Sequence, residues 1–197
     1  MAIELLENNE DFTYMLFKSK YIEDNIDSIL YQTDIIAKTL QHRLESETPN
    51  VTWLYKKYNA FVYASGSPAY FQIYKDLNEC ISLYCKKYNV PTFNLWMRNW
   101  LNYHDHTEVL KLHDHEVMAH GYVAIEPRFT ETVFVDEYDI VRYKIVNKVG
   151  QIYLGPGRRK HYVKNLKDYS EKRVTLGLDL ETNIAPGVNI GCLPVIV

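Results

Sequence analysis

The pattern of apolar and polar positions divides the chain in two. Between residues 21 and about 43, apolar side chains recur at Ile22, Ile26, Ile29, Leu30 and Ile36 behind an acid-rich start, which predicts one helix. After a Ser-Glu-Thr-Pro-Asn break at 46–50, helical spacing returns over 69–88 through Phe71, Tyr74, Leu77, Ile81 and Tyr84, and stops before Pro91. From Phe93 onward the runs shorten and fill with β-branched and aromatic residues: FNLWMRNWLNY, HGYVAI, ETVFV, IVRYKIV, GQIYLG, KHYVKN and RVTLGLDL. Seven short strands at close spacing predict a sandwich or barrel and exclude a doubly wound sheet.

The expected fold class is therefore α+β. Residues 1–197 form a single domain in which 1–92 are a mainly helical support, 93–185 the β core and 186–197 a tail. No repeat or low-complexity segment interrupts it, so the helices are expected to pack outside the β unit. The tail, NIAPGVNIGCLPVIV, is apolar and marked by Pro and Gly, which suits an edge strand or an irregular segment. Added to a partner subunit it could make a homo-oligomer.

Charge adds exclusions. The 22 basic and 25 acidic residues nearly cancel, and no like-charge run resembles a nucleic-acid arm. No apolar stretch reaches the ~20 residues that span a bilayer, and the acidic N-terminus is unlike a signal peptide. The expectation is a soluble cytoplasmic protein, of a bacterium or of the host cell if phage-encoded. Three cysteines, Cys80, Cys85 and Cys192, are an odd number without metal-ligand spacing, which suits a reducing compartment, and are read as buried or incidental thiols. Seventeen tyrosines suit both strands and the lining of a pocket.

Four of the seven histidines, His104, His106, His113 and His115, fall within 104–115. In a strand, residues two apart point to one face about 6.5 Å from each other, so His113 and His115 can share a cavity while Asp114 faces away. Forty-six residues after His115, a Gly/Pro-rich turn feeds a strand that begins with His161. A facial metal site needs such a third ligand from a distant strand. Arg173 then shares a strand face with Thr175 and Gly177, and a guanidinium aimed into a cavity is a carboxylate clamp. His104 and His106 read as solvated loop or strand-end histidines, His120 as a packed one, and the Arg158-Arg159-Lys160 run as a solvated loop or a neutraliser at the cavity mouth.

His113-x-His115, His161 and Arg173-x-Thr175 resemble the His-x-Asp, distal His and Arg-x-Ser pattern of the Fe(II)/2-oxoglutarate-dependent oxygenases. The stretch WLNYHDHTEVLKLHDHEVMAHGYVAIEP is similar to a small bacterial and phage branch of that superfamily, and the resemblance covers roughly 93–180. It implies a double-stranded β-helix, the jelly-roll or cupin-like barrel. It also implies Fe(II) on His113, His115 and His161, with 2-oxoglutarate as co-substrate, O2, and an unidentified small molecule or protein side chain as substrate. Arg173 would pair with the distal carboxylate of 2-oxoglutarate, supported by Thr175, and Asn102, Tyr103 and Tyr122 would line its pocket. The departure is His115, where the superfamily has a carboxylate; Asp114, re-aimed by a bulge, or Asp105 could supply one.

A cupin-type metalloprotein is the alternative, because Gly150, Pro156, His161 and Asn165 sit at offsets resembling the second cupin motif. The first motif is poorer, since the acid expected a few residues after His-x-His is missing. A third reading is a structural or interaction protein on the same sandwich.

Overall fold

The computed structural model describes residues 3–43, 57–107, 110–182 and 191–196. The chain opens with a hairpin, β1 (Ile3–Asn9) and β2 (Tyr14–Ser19). Helices α1 (Lys20–Asp24), α2 (Ile26–Arg43), α3 (Ala60–Tyr63) and α4 (Pro68–Tyr88) follow. The strands after them are β3 (Leu95–His104), β4 (Ala119–Glu126), β5 (Thr130–Val135), β6 (Val141–Val146), β7 (Gln151–Pro156), β8 (His161–Asn165), β9 (Arg173–Thr182) and β10 (Cys192–Pro194).

The helix expected over 21–43 is two, because Asn25 competes for the helical carbonyl: its backbone N–H and its side-chain amide both donate to Tyr21 O, at 3.1 and 2.9 Å. Helix α4 starts one residue before its expected point. Ser67 caps it by accepting from Tyr70 N, Pro68 stands at its first turn, and Asn89 ends it in the left-handed region. Its buried stripe is Tyr70, Ile73, Leu77, Ile81 and Tyr84, whereas Phe71 faces solvent. The break at 46–50 lies outside the described residues.

All seven expected strands are present. The larger sheet runs β1-β2-β7-β4-β9-β3-β10 and the smaller β6-β5-β8, with every pair antiparallel. The chain passes from β4 in the large sheet to β5 and β6 in the small one. It then returns to β7, crosses to β8 and comes back to β9, which makes a jelly-roll β-sandwich. Part of the tail is the edge strand β10, paired to β3. The β1-β2 hairpin was not anticipated, since IELLENN lacks the alternation of a half-buried strand; β1 is indeed largely exposed and extends the sheet beyond β7.

Strand alternation divides the large sheet into two faces. On β9, Val174, Leu176, Leu178 and Leu180 join the apolar core with Ile29, Leu40, Ile73 and Ile81 of the helices. The intervening Arg173, Thr175, Gly177, Asp179 and Glu181 face a cavity of about 660 Å³ between the sheets. A second, aromatic cluster of Tyr14, Leu16, Phe134, Ile145 and Tyr153 joins the two inner faces beside that cavity. Cys80 and Cys85 are buried free thiols, and Cys192 is a half-buried one. Among the described residues no helix is long and apolar enough to cross a membrane.

Candidate metal centre

His113 and His115 do not lie in a regular strand. His113 forms an isolated antiparallel bridge with His161, through His113 N to His161 O at 3.0 Å and His161 N to His113 O at 2.8 Å. That pairing sets the first imidazole directly across from the third. The 115–118 segment then lies on Gly157, with His115 N donating to Gly157 O and Gly157 N to Met118 O. A Cβ on Gly157 would come 1.8 Å from Val117 O, so the Gly/Pro-rich turn is small where the histidine-bearing segment crosses it.

The outcome is a convergent donor set. One ligand atom from each of His113, His115 and His161 lies within 4.8 Å of the others. Their ring centroids stand 4.4 Å (His113–His161), 5.1 Å (His113–His115) and 5.3 Å (His115–His161) apart. His120 on β4 stacks beside this set, with its ring 4.7 Å from that of His161 and 4.9 Å from that of His115, nearly parallel to both. Sequence reading placed His120 in the packing. The cupin pattern has a donor a few residues after His-x-His, and a search admitting histidine as well as acid would have found it.

The Nδ1 atoms fix the tautomers. His113 Nδ1 lies 2.6 Å from Lys111 O, His161 Nδ1 3.0 Å from Arg159 O and His120 Nδ1 2.9 Å from Pro156 O. A carbonyl only accepts, so each of these Nδ1 atoms carries the proton and each Nε2 presents a lone pair. His115 Nδ1 is 2.8 Å from Asp179 Oδ1, a close approach whose angle falls short of an aligned hydrogen bond. Backbone carbonyls and an acid behind metal-binding imidazoles are the usual orienting partners.

Burial keeps the rings of His113, His120 and His161 neutral. Desolvation, followed by the repulsion of His113, pushes His161 down to about 3, and desolvation holds His120 well below and His113 below the ordinary histidine value. His120 Nε2 is buried without a hydrogen-bond partner. Lone pairs on neutral rings, one of them orphaned, fit a divalent ion. All-imidazole donors suit Fe, Zn, Cu and Ni.

Arg173 is 4% exposed, and its Nε and Nη1 have no hydrogen-bond partner. Desolvation lowers it to about 10, against the stabilising influence of Tyr169 and Tyr122. Among the described residues no acid pairs with it, whereas Arg98 is paired with Glu181 Oε1 at 3.1 Å. Thr175 and Asn102 also line the cavity but are tied together: Trp100 Nε1 donates to Asn102 Oδ1, and Asn102 Nδ2 to Thr175 Oγ1. Tyr122 lines it too, its hydroxyl donating to Asn147 Oδ1 at 2.8 Å.

Other expectations are corrected. Tyr103 points away from the cavity, its hydroxyl donating to Asp34 Oδ1 of α2, because it alternates with the cavity-facing Asn102. Asp114 is exposed and outside the convergent set, and Asp105 accepts from Thr107 in an exposed turn, so neither supplies a carboxylate ligand. His104 is buried at the end of β3, where desolvation and Arg173 depress it to about 4; His106 is the solvated one. Of the basic run, Arg158 is exposed, Arg159 lies over Phe12 and Tyr143, and Lys160 pairs with Asp139, so none lines the cavity. Asp179 went unremarked, although the Arg173, Thr175, Gly177 face runs on to it two residues later.

Fold and site together define a jelly-roll protein with a three-histidine metal-binding set. No protein-family profile and no curated protein matches the chain. Among solved structures, oxalate decarboxylase of Bacillus subtilis is similar at a TM-score of 0.38 and 19% identity, over 45% of this chain and 22% of that one. A candidate oxygenase from Shewanella oneidensis is similar at 0.45 and 10% identity, over 64% of this chain and 60% of that one. The chain thus spans about a quarter or less of the decarboxylase chains it matches and 60% of the other protein. Likenesses this partial assign no activity.

Proposed function

We propose that the protein is a cupin-type, metal-dependent oxygenase of a small carboxylate, built on a double-stranded β-helix. The observation that carries this reading is a fourth imidazole beside the convergent three: the His120 ring stacks on those of His161 and His115, and its buried Nε2 has no hydrogen-bond partner among the described residues. Fe(II) bound to His113, His115, His120 and His161 would supply dioxygen activation. The strand order supports the double-stranded β-helix, since β7-β4-β9-β3 and β6-β5-β8 face each other and His113 bridges to β8 where a further small-sheet strand would run.

The residues divide the work. Arg173, itself buried, offers two N–H directions without a partner among the described residues to a carboxylate, and a charge-assisted pair there is strong. Trp100, held by Asn102, forms a rigid wall against His115. Asp179 and the three carbonyls orient the rings.

A 2-oxoglutarate-dependent oxygenase is the second reading, favoured by Arg173 and Thr175 on one cavity face. It would ask the ion for two positions for 2-oxoglutarate and one for O2, more than a fourth imidazole ligand would leave open. Anaerobic titration with Fe(II) and then 2-oxoglutarate decides. The cupin-type reading expects iron to bind without a metal-to-ligand charge-transfer band in wild type, and the band to appear in His120→Ala. A band in wild type that His161→Ala abolishes and Arg173→Ala weakens establishes the second reading instead, and failure to bind any metal removes both.

A further inference from the structure

The inner faces of the sheets carry tyrosines that the proposed chemistry leaves unused. Tyr153 on β7 is fully buried, and its ring lies 5.6 Å from that of His120. Tyr14 on β2 lies 5.7 Å from Tyr153, and its phenol donates to Glu7 Oε1 of β1 at 2.5 Å. Glu7 is exposed. Aromatic contact is therefore unbroken from His120, stacked on the ligand rings of His115 and His161, to a solvated carboxylate.

The side branch is electrostatically different. Tyr143 touches Tyr153 hydroxyl to hydroxyl at 3.0 Å, but the Arg159 guanidinium stands 5.9 Å over its ring and disfavours positive charge there. Tyr14 has a carboxylate at its hydroxyl instead. Packing alone does not call for a phenol at 153, where phenylalanine would fill the space and avoid burying a hydroxyl.

We infer that His120, Tyr153, Tyr14 and Glu7 form a relay that carries oxidising equivalents from the metal site to the surface, a role that rests on the oxygenase reading. When hydrogen peroxide or dioxygen has oxidised the bound metal and no substrate is present, one electron passes from Tyr14 through Tyr153 to the metal, which is reduced by one. The Tyr14 O–H bond breaks, its proton forms an O–H bond on the Glu7 carboxylate, and a neutral tyrosyl radical remains. A thiol reaching the exposed Glu7 end then gives one electron to the radical and releases its proton to water, leaving as a thiyl radical, and Glu7 returns its proton to the phenoxyl oxygen.

The test treats iron-loaded full-length protein with hydrogen peroxide and follows the radical by freeze-quench EPR in wild type, Tyr153→Phe, Tyr14→Phe and Glu7→Gln, with oxidised residues mapped by mass spectrometry. Iron binding is measured first and separately, so loss of the metal reading is seen as such and takes the relay with it. The expected result is a tyrosyl signal in wild type with oxidation at Tyr14, loss of that signal in Tyr153→Phe and Tyr14→Phe, and a weakened signal in Glu7→Gln. Glu7 is at the surface, so its variant keeps the test open if a core variant fails to fold. Iron oxidation with no organic radical, a signal indifferent to all three changes, or oxidation on the ligand histidines or on Trp100, stacked 5.7 Å from His115, overturns the relay while leaving the metal site intact.

Discussion

His120 lies flat against His161, with ring centroids 4.7 Å apart and planes 6° from parallel, although the two residues come from opposite sheets. Two neutral rings whose Nδ1 atoms are both held by carbonyls have their lone pairs as the remaining polar function. Replacing His120 by Ala is expected to weaken divalent-metal binding by at least the ~10–100-fold typical of losing an orienting partner. Calorimetric titration of Fe(II) or Mn(II) checks it, and unchanged affinity would return His120 to the packing.

Asp179 stands behind His115 at 2.8 Å and is 3% exposed. Asp179→Asn keeps the volume and removes the charge that favours the His115 ring orientation. A drop of ~10–100-fold in metal affinity with unchanged thermal stability of the metal-free protein is the expected pair of results.

Arg173 carries a buried charge that no acid among the described residues neutralises, so the metal-free fold bears a desolvation cost there. Arg173→Met should raise the stability of the metal-free protein by about 1 kcal/mol or more. It should also abolish any rise in melting temperature produced by small carboxylates. A destabilised variant would mean that the guanidinium is structural.

The metal-free protein should lose stability on acidification between about pH 6.5 and 4. His104 falls to about 4 and His161 to about 3 in the folded chain, so the unfolded chain binds more protons across that window and stability rises with pH through it. For His104 alone the effect is on the order of 1–3 kcal/mol. Urea unfolding at a series of pH values, with His104→Gln flattening part of the slope, checks it.

Gly177 pairs across from Trp100, and a Cβ there would lie 2.4 Å from Trp100 Cε2. Gly177→Ala should therefore push the indole toward His115 at a cost of about 1–3 kcal/mol. Chemical denaturation and the tryptophan fluorescence of the folded state report it.

The seven strands after Phe93 were legible because each is a short run with β-branched or aromatic side chains, set off by turn-forming residues. The hairpin was hidden because β1 buries little, so no alternation marks it. His113, His115 and His161 could be read from clustering and from the turn before His161. The expectation that His113 and His115 share a regular strand face failed, because a bridge to β8 and the contact with Gly157 aim them instead. Tyr103 was misplaced by one step of strand period, since Asn102 and Tyr103 cannot both face one cavity. His120 and Asp179 depend on which strands neighbour which, and β4 pairing with β9 sets them directly opposite each other.

Lys111 O and Arg159 O each belong to the residue two places before the ring they hold. Two of the donors are thus aimed by their own short stretches of backbone, independently of β9 and β3, whose side chains form much of the cavity wall. Grip and selectivity are separately encoded: the wall can be redrawn for a new guest while the ion keeps its seat.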